Sequence, residues 1–238
     1  MKVLIFDIYG DYAHFKKYYT TSSPLTLSFP PPPTIKGMLG AICGKGKDEY
    51  LEVFSSEQCK VGIRILKPIK KVRMGLNHIN TKDGFWIPVN KKNHQAHTQI
   101  CTEFLKDPVY RIYFSHQDDE LFEKLTEMIK EHKTVFTLSL GLSELLADFK
   151  YVGQRDFTKI ENEESEIHSI VPIECIKDQG LIFADARKYF KEKIPVDMIK
   201  GRIVSKYQDI LFESEGKSIH ADMKYFWEGQ NGERVVFF

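Results

Sequence analysis

Apolar residues fill both alternating rows of residues 2–9, with Val3 and Ile5 on one side and Leu4, Phe6 and Ile8 on the other. Such a run predicts a strand buried on both faces in the middle of a sheet. Gly10 and Asp11 end it, and a polar, ring-bearing loop runs on to the four prolines Pro30, Pro31, Pro32 and Pro33. Over residues 34–44 the apolar positions Ile35, Met38, Leu39 and Ile42 fall at helical spacing, with proline before them and Gly44 as a stop, which predicts a first helix resuming over 48–54. Strands are expected over 61–66 and 109–114. The interval between them is too long for a plain loop and is rich in Gly, Asn, His and Lys, so an inserted β-hairpin, a thumb spanning about 68–108, is expected there. Residues 118–133 read as the clearest helix, with acids in the first turn, bases in the last, and Leu121, Leu125 and Met128 on one face. A fourth strand is expected over 135–140, followed by a turn at Gly141.

That order, β-α-β, hairpin, β-α-β, predicts an α+β chain with a ferredoxin-like split βαβ core over residues 1–160, of the kind found in RNA-recognition modules. The acidic run 161–166 reads as a linker. Apolar stretches at 169–176, 181–183, 203–212 and 235–238 predict a smaller β-rich region over 167–238. This core hosts many functions, so it decides none.

The 238 residues carry 34 Lys/Arg against 33 Asp/Glu, a net +1 that hides a polarity along the chain. Residues 1–102 hold 15 cations against 7 acids, 103–174 hold 8 against 16, and 175–238 hold 11 against 10. The basic first block is what a polyanion would seek, and the acidic middle is expected to face protein neighbours. No apolar run approaches the length of a membrane span or signal peptide, so a cytoplasmic protein is expected. Cys43, Cys59, Cys101 and Cys175 are scattered, which suggests neither a disulfide framework nor a zinc ribbon. His94 and His97 with Cys101, and His78 or His116 as a fourth group, have a ligand-like spacing, but it reads better as a polar hairpin tip, and no metal or other cofactor is expected.

Neither a phosphate-binding loop nor the aromatic signature of RNA-recognition motifs is present. What remains is a set of RNA-contacting types. Tyr12, His14, Lys16 and Lys17 on the first loop supply the residue types of metal-free RNA cleavage, and the loop's rings, Tyr12, Phe15, Tyr18 and Tyr19, alternate with its cations as on a single-strand surface. Thr34, Lys36 and Gly37 open the first helix, whose free N–H groups attract phosphate. Lys70, Lys71, Arg73, Asn77 and His78 lie on the expected thumb.

Residues 8–15, Ile-Tyr-Gly-Asp-Tyr-Ala-His-Phe, and 28–44, Ser-Phe-Pro-Pro-Pro-Pro-Thr-Ile-Lys-Gly-Met-Leu-Gly-Ala-Ile-Cys-Gly, resemble the amino-terminal signature of the fifth-named CRISPR-associated protein family, within the repeat-associated mysterious protein superfamily. Residues 139–149, Ser-Leu-Gly-Leu-Ser-Glu-Leu-Leu-Ala-Asp-Phe, are similar to its glycine-rich segment, which adds Gly141 and Ser143 to the expected site. The resemblance implies a ferredoxin-like core with a thumb. It also implies a subunit of a type I Cascade surveillance complex that grips the 5′ handle of crRNA and caps the filament of backbone subunits, beside a large subunit, in antiviral defence. Some members cut precursor RNA with a Tyr-Lys-His set in which Lys and His are adjacent. Here the order is His132-Lys133, at a helix end where the dipole accounts for both cations, so no catalytic residue is assigned. A metal-independent endoribonuclease is the alternative.

Overall fold

A computed structural model describes residues 1–84, 86–91 and 94–238. The chain is a mixed α/β protein dominated by sheet. Its central layer is one antiparallel sheet whose path begins at β3 (Cys59–Ile65) and passes through β6 (Val109–His116), β1 (Lys2–Tyr9) and β7 (Asp148–Ile167) to β12 (Ile219–Gly229) and β13 (Arg234–Val235). β9 (Ile176–Leu181) also pairs with β12. β1 lies between β6 and β7, with Ile8 opposite Tyr110 on one side and Phe149 on the other. Both of its faces are covered, as its pattern requires. Leu4, Phe6 and Ile8 join the core formed with α1 (Pro32–Cys43) and α3 (Asp119–Lys130), while Val3 and Ile5 pack with Tyr113, Phe157, Val235 and Phe237 on the other side.

Both helices are built by ordinary end chemistry. Prolines occupy the first turn of α1, and Gly44, at φ 81°, closes it. Asp118 caps α3, its Oδ1 accepting from Glu120 N at 2.9 Å and Leu121 N at 3.1 Å. Phe122, Leu125 and Ile129 form the buried face of α3, with Leu121 and Met128 at its margins. The four-residue α2 (Tyr50–Val53) follows α1.

The expected fourth strand is displaced. Residues 135–140 form an irregular strap along α1, with Val135 N donating to Ile42 O at 3.1 Å and Phe136 N to Ala41 O at 3.0 Å. The strap thereby satisfies carbonyls that the helix end leaves open. β7 takes the place of that strand, and residues 161–166, read as a linker, lie inside it, paired with β12 from Glu161 opposite Tyr225 to Glu166 opposite His220.

Between β3 and β6 a hairpin leaves the sheet: β4 (Lys71–Ile79) pairs with β5 (His97–Lys106) from Lys71 opposite Leu105 to Ile79 opposite His97. Phe85, Lys92 and Asn93, within the predicted thumb, lie outside the described residues. The foot of the hairpin is tied to the core through β2 (Tyr12–Ala13), whose Ala13 is opposite Leu105. A third sheet joins β10 (Tyr189–Ile199), β11 (Ile203–Glu213) and β8 (Val171–Pro172). Its Ile194, Val196, Ile210 and Phe212 enter the same core as α1.

Candidate nucleic-acid interface

The strap and α1 enclose a groove of about 580 Å³. Thr34, Gly37 and Ala41 line it from the helix, Phe136, Leu138 and Gly141 from the strap, and Tyr50 and Met198 complete the apolar lining. Three cations line it, Lys45 and Lys47 from the turn after α1 and Arg202 from the β10–β11 connection, and among the described residues its lining holds no carboxylate or histidine. None of the three cations is in an ion pair among the described residues. Burial pushes the Tyr50 hydroxyl above its ordinary value, a shift that nearby Arg202 partly offsets. A groove with a cationic rim, an apolar floor and unneutralised charge is suited to a sugar–phosphate chain.

Gly37 lines this groove beside the Tyr50 ring, which a Cβ there would meet at an ordinary contact distance of 3.7 Å. Gly141 shapes it from the other side. Its φ is +102° and a Cβ would fall 1.9 Å from His14 O, so only glycine permits the strap to meet the first loop. At the same junction His14 N donates to Leu140 O at 2.9 Å. The structure thus gathers Thr34, Gly37 and Gly141 into one place. Ser143 is exposed two residues further along the chain, its hydroxyl donating to Glu144 Oε2 at 3.2 Å.

Two positions expected to face RNA are turned inward. His14 is 3% exposed, its Nδ1 2.7 Å from Glu103 O and its ring against Phe104. Lys36 is also 3% exposed, its Nζ donating to Ser56 Oγ at 2.8 Å and to Asp197 Oδ1 at 3.3 Å. Both belong to the core's polar bracing. Tyr12 is half-buried with its ring edge on Phe104, Lys16 is exposed, and Lys17 is held by Glu192 at 2.6 Å.

On the hairpin, Lys71 donates to Thr26 O at 3.0 Å and lies 3.5 Å from Glu103, while Arg73 is 3.6 Å from the same carboxylate. Lys70, Asn77 and His78 are exposed. His132 stacks on Phe149 with ring centroids 4.5 Å apart and lies 3.0 Å from Asp148, while Lys133 pairs with Glu131 at 2.6 Å, so the two point to separate partners. Among the described residues no three His, Cys, Asp or Glu side chains converge on a metal position. No described helix is long and apolar enough to cross a membrane.

Lys45, Lys47, Tyr50, Phe136 and Arg202 escaped the sequence reading. The only signal for the lysines was their placement around Gly46 directly after a helix. Arg202 reaches the groove from a distant hairpin and carries no local signal.

The scaffold is a sheet-dominated α/β fold with a cation-lined groove between α1 and the strap. The family model described as CRISPR-associated protein (Cas_Cas5) matches residues 3–213, and the chain belongs to that family. No curated protein matches it in sequence. Among solved structures it is similar to a CRISPR protein from Archaeoglobus fulgidus, at 15% identity over 99% of this chain and 98% of that one, with a TM-score of 0.58. A chain of a CRISPR RNA-guided surveillance complex follows at 10% identity, 93% and 92% coverage and TM-score 0.54. A chain of the type III-B Cmr-beta complex bound to cognate target RNA is similar at 15% identity, 92% and 86% coverage and TM-score 0.51.

Proposed function

We propose that this protein is a non-catalytic RNA-binding subunit of a type I CRISPR surveillance complex that holds the 5′ handle of crRNA and caps the filament of backbone subunits. The observation that carries this reading is the groove between α1 and the strap, with Lys45, Lys47 and Arg202 on its rim and no acid among the described residues of its lining. In this reading β1, α1, β3, β6, α3 and β7 form a ferredoxin-like core of the repeat-associated mysterious protein superfamily, and the β4–β5 hairpin is its thumb. Lys16, Lys70, Asn77 and His78 on the first loop and hairpin extend the surface towards neighbouring backbone and large subunits. Guide pairing reads the target sequence, and this protein holds the guide's backbone and end.

A role without cleavage is supported by the groove's chemistry. Metal-free scission needs a base for the 2′-OH proton, and the groove's one ionisable hydroxyl among the described residues, Tyr50, is pushed away from the deprotonated form. The test is titration of purified protein with handle-bearing RNA in chelator over a series of salt concentrations. Lys47→Glu with Arg202→Glu is expected to weaken binding at least tenfold and to lower the salt slope by roughly 0.7 for each phosphate no longer neutralised, while the RNA stays intact. Unchanged affinity and slope would remove the groove from the RNA path, and chelator-resistant cutting would make the protein an enzyme.

A further inference from the structure

Three tyrosines from two distant parts of the chain meet on the surface outside the groove. Tyr18 and Tyr19, on the first loop, are 60% and 61% exposed, with ring centroids 5.1 Å apart and planes at 89°. The Tyr18 ring lies 5.0 Å from that of Tyr207 on β11, and Lys193 Nζ sits 6.0 Å from the Tyr207 centroid. None of the three rings lines the groove.

The loop that carries them is pinned. Lys17 N donates to Leu25 O at 2.9 Å, Thr20 Oγ1 donates to Lys17 O at 2.9 Å and accepts from Leu25 N at 3.2 Å, and Lys17 Nζ is 2.6 Å from Glu192. Burial works against the Lys17 charge, but the hydrogen bond and charge of Glu192 outweigh it and raise its pKa, so the pin stays ionised at neutral pH. Rings held outward by such a pin lose little freedom when a ligand arrives.

We propose that Tyr18, Tyr19 and Tyr207, with Lys193 beside the Tyr207 ring and the exposed Lys16 two positions before Tyr18 in the chain, form a platform on which unpaired bases of single-stranded RNA stack. The charge around the rings selects this occupant. Neither Lys16 nor Lys193 is in an ion pair among the described residues, and lysine is depleted from the centres of protein–protein interfaces but common beside aromatic stacking surfaces for single strands. Planes at right angles offer ring faces in two directions, which suits a chain whose bases splay. The inference rests on the reading that the protein binds RNA, and it adds a second surface that contacts bases where the groove contacts backbone.

The experiment compares two short single-stranded RNAs of one length, one carrying 2-aminopurine and the other abasic sites, with full-length wild type, Tyr18→Ala, Tyr19→Ala, the double variant Tyr18→Ala/Tyr207→Ala, its Phe counterpart, and Lys47→Glu. The double Ala variant is expected to bind base-bearing RNA about tenfold more weakly and to lose 2-aminopurine quenching, with affinity for the abasic strand and the salt slope unchanged. The Phe counterpart should retain both. Tyr18→Ala and Tyr19→Ala remove largely exposed rings and keep the test valid if loss of Tyr207 perturbs folding. Wild-type affinity and quenching in all the Ala variants, beside weakened binding by Lys47→Glu, would overturn the platform and leave the groove standing. Absence of RNA binding by wild type would overturn both.

Discussion

Lys36 illustrates how burial changes the meaning of a charged residue. It follows Ile35 on α1, and its ammonium reaches inward to a carboxylate that also accepts from Ser56 Oγ at 2.7 Å and Ser205 Oγ at 2.9 Å. Burial would raise the Asp197 pKa, but those hydroxyl bonds and the Lys36 charge outweigh it and hold the group below its ordinary value. Removing the cation strands a half-buried carboxylate that keeps two hydroxyl donors, a cost of about 2 kcal/mol. Lys36→Ala is therefore expected to lower the urea midpoint while folded protein keeps its RNA affinity; an unchanged midpoint with weakened binding would restore Lys36 to the RNA surface. The helix around Lys36 was legible because four apolar side chains repeat at its period. Its partner was not, since Asp197 is 161 positions away and no local pattern records that distance.

Elements were legible where one face is plainly apolar. β1, α1, β3, β6 and α3 announce themselves in this way. The strap deceives because its apolar residues alternate like a strand, with Leu138 and Leu140 buried, yet Val135 and Phe136 remain 57% and 51% exposed and its N–H groups serve the end of α1. β7 hides for the opposite reason: only Phe149, Phe157, Ser165 and Ile167 are fully buried along its 20 residues, and the acids between them mimic a linker. The hairpin was legible from its composition, and its burial gradient says how it is attached. Thr102, Phe104 and Leu105 are buried at its foot, while Asn77, His78 and Ile79 are exposed further out. Replacing residues 77–99 with an Asn-Gly turn between the paired Leu76 and Ile100 should leave the thermal midpoint within a few degrees, because among the described residues of the removed part only His94 and Ala96 are buried. Co-purification with guide RNA and backbone subunits should be abolished. Normal assembly by the shortened protein would assign the hairpin another purpose.

At the scale of the molecule, the sheet face away from the helices is closed by residues 235–237. Val235 and Phe237 lie over Val3, Ile5 and Tyr113, so the surface that RNA-recognition modules use for stacking is core here, and ligands are left to the helix side and the loops. The charged row beside that cover carries an acid dependence. Arg64 lies opposite Arg111 across β3 and β6, a repulsive pairing unless it is neutralised. Asp7 takes Arg111 Nε at 2.8 Å, and Glu233 accepts from Arg64 at 2.9 Å, Arg111 at 3.2 Å and the Tyr113 hydroxyl at 3.0 Å. Burial favours protonation of Glu233, yet the donors Asn231 and Tyr113 and the charges of Arg111 and Arg64 outweigh it and lower its pKa below the ordinary 4.5. A carboxylate lowered on folding stabilises fully above its unfolded value and loses that contribution as pH falls through its folded one. Glu233→Gln keeps the shape and removes the charge, leaving Arg64 without a carboxylate, and should cost about 2 to 4 kcal/mol at neutral pH. From pH 4.5 downwards that contribution fades, and as pH falls through the lower folded value the wild-type side chain itself becomes neutral, so urea midpoints of the two proteins should converge as the solution is acidified. A gap that stays constant from neutral pH into that acid range would mean that Glu233 stabilises the cover by shape and hydrogen bonding alone, and that its charge does not hold the two arginines together.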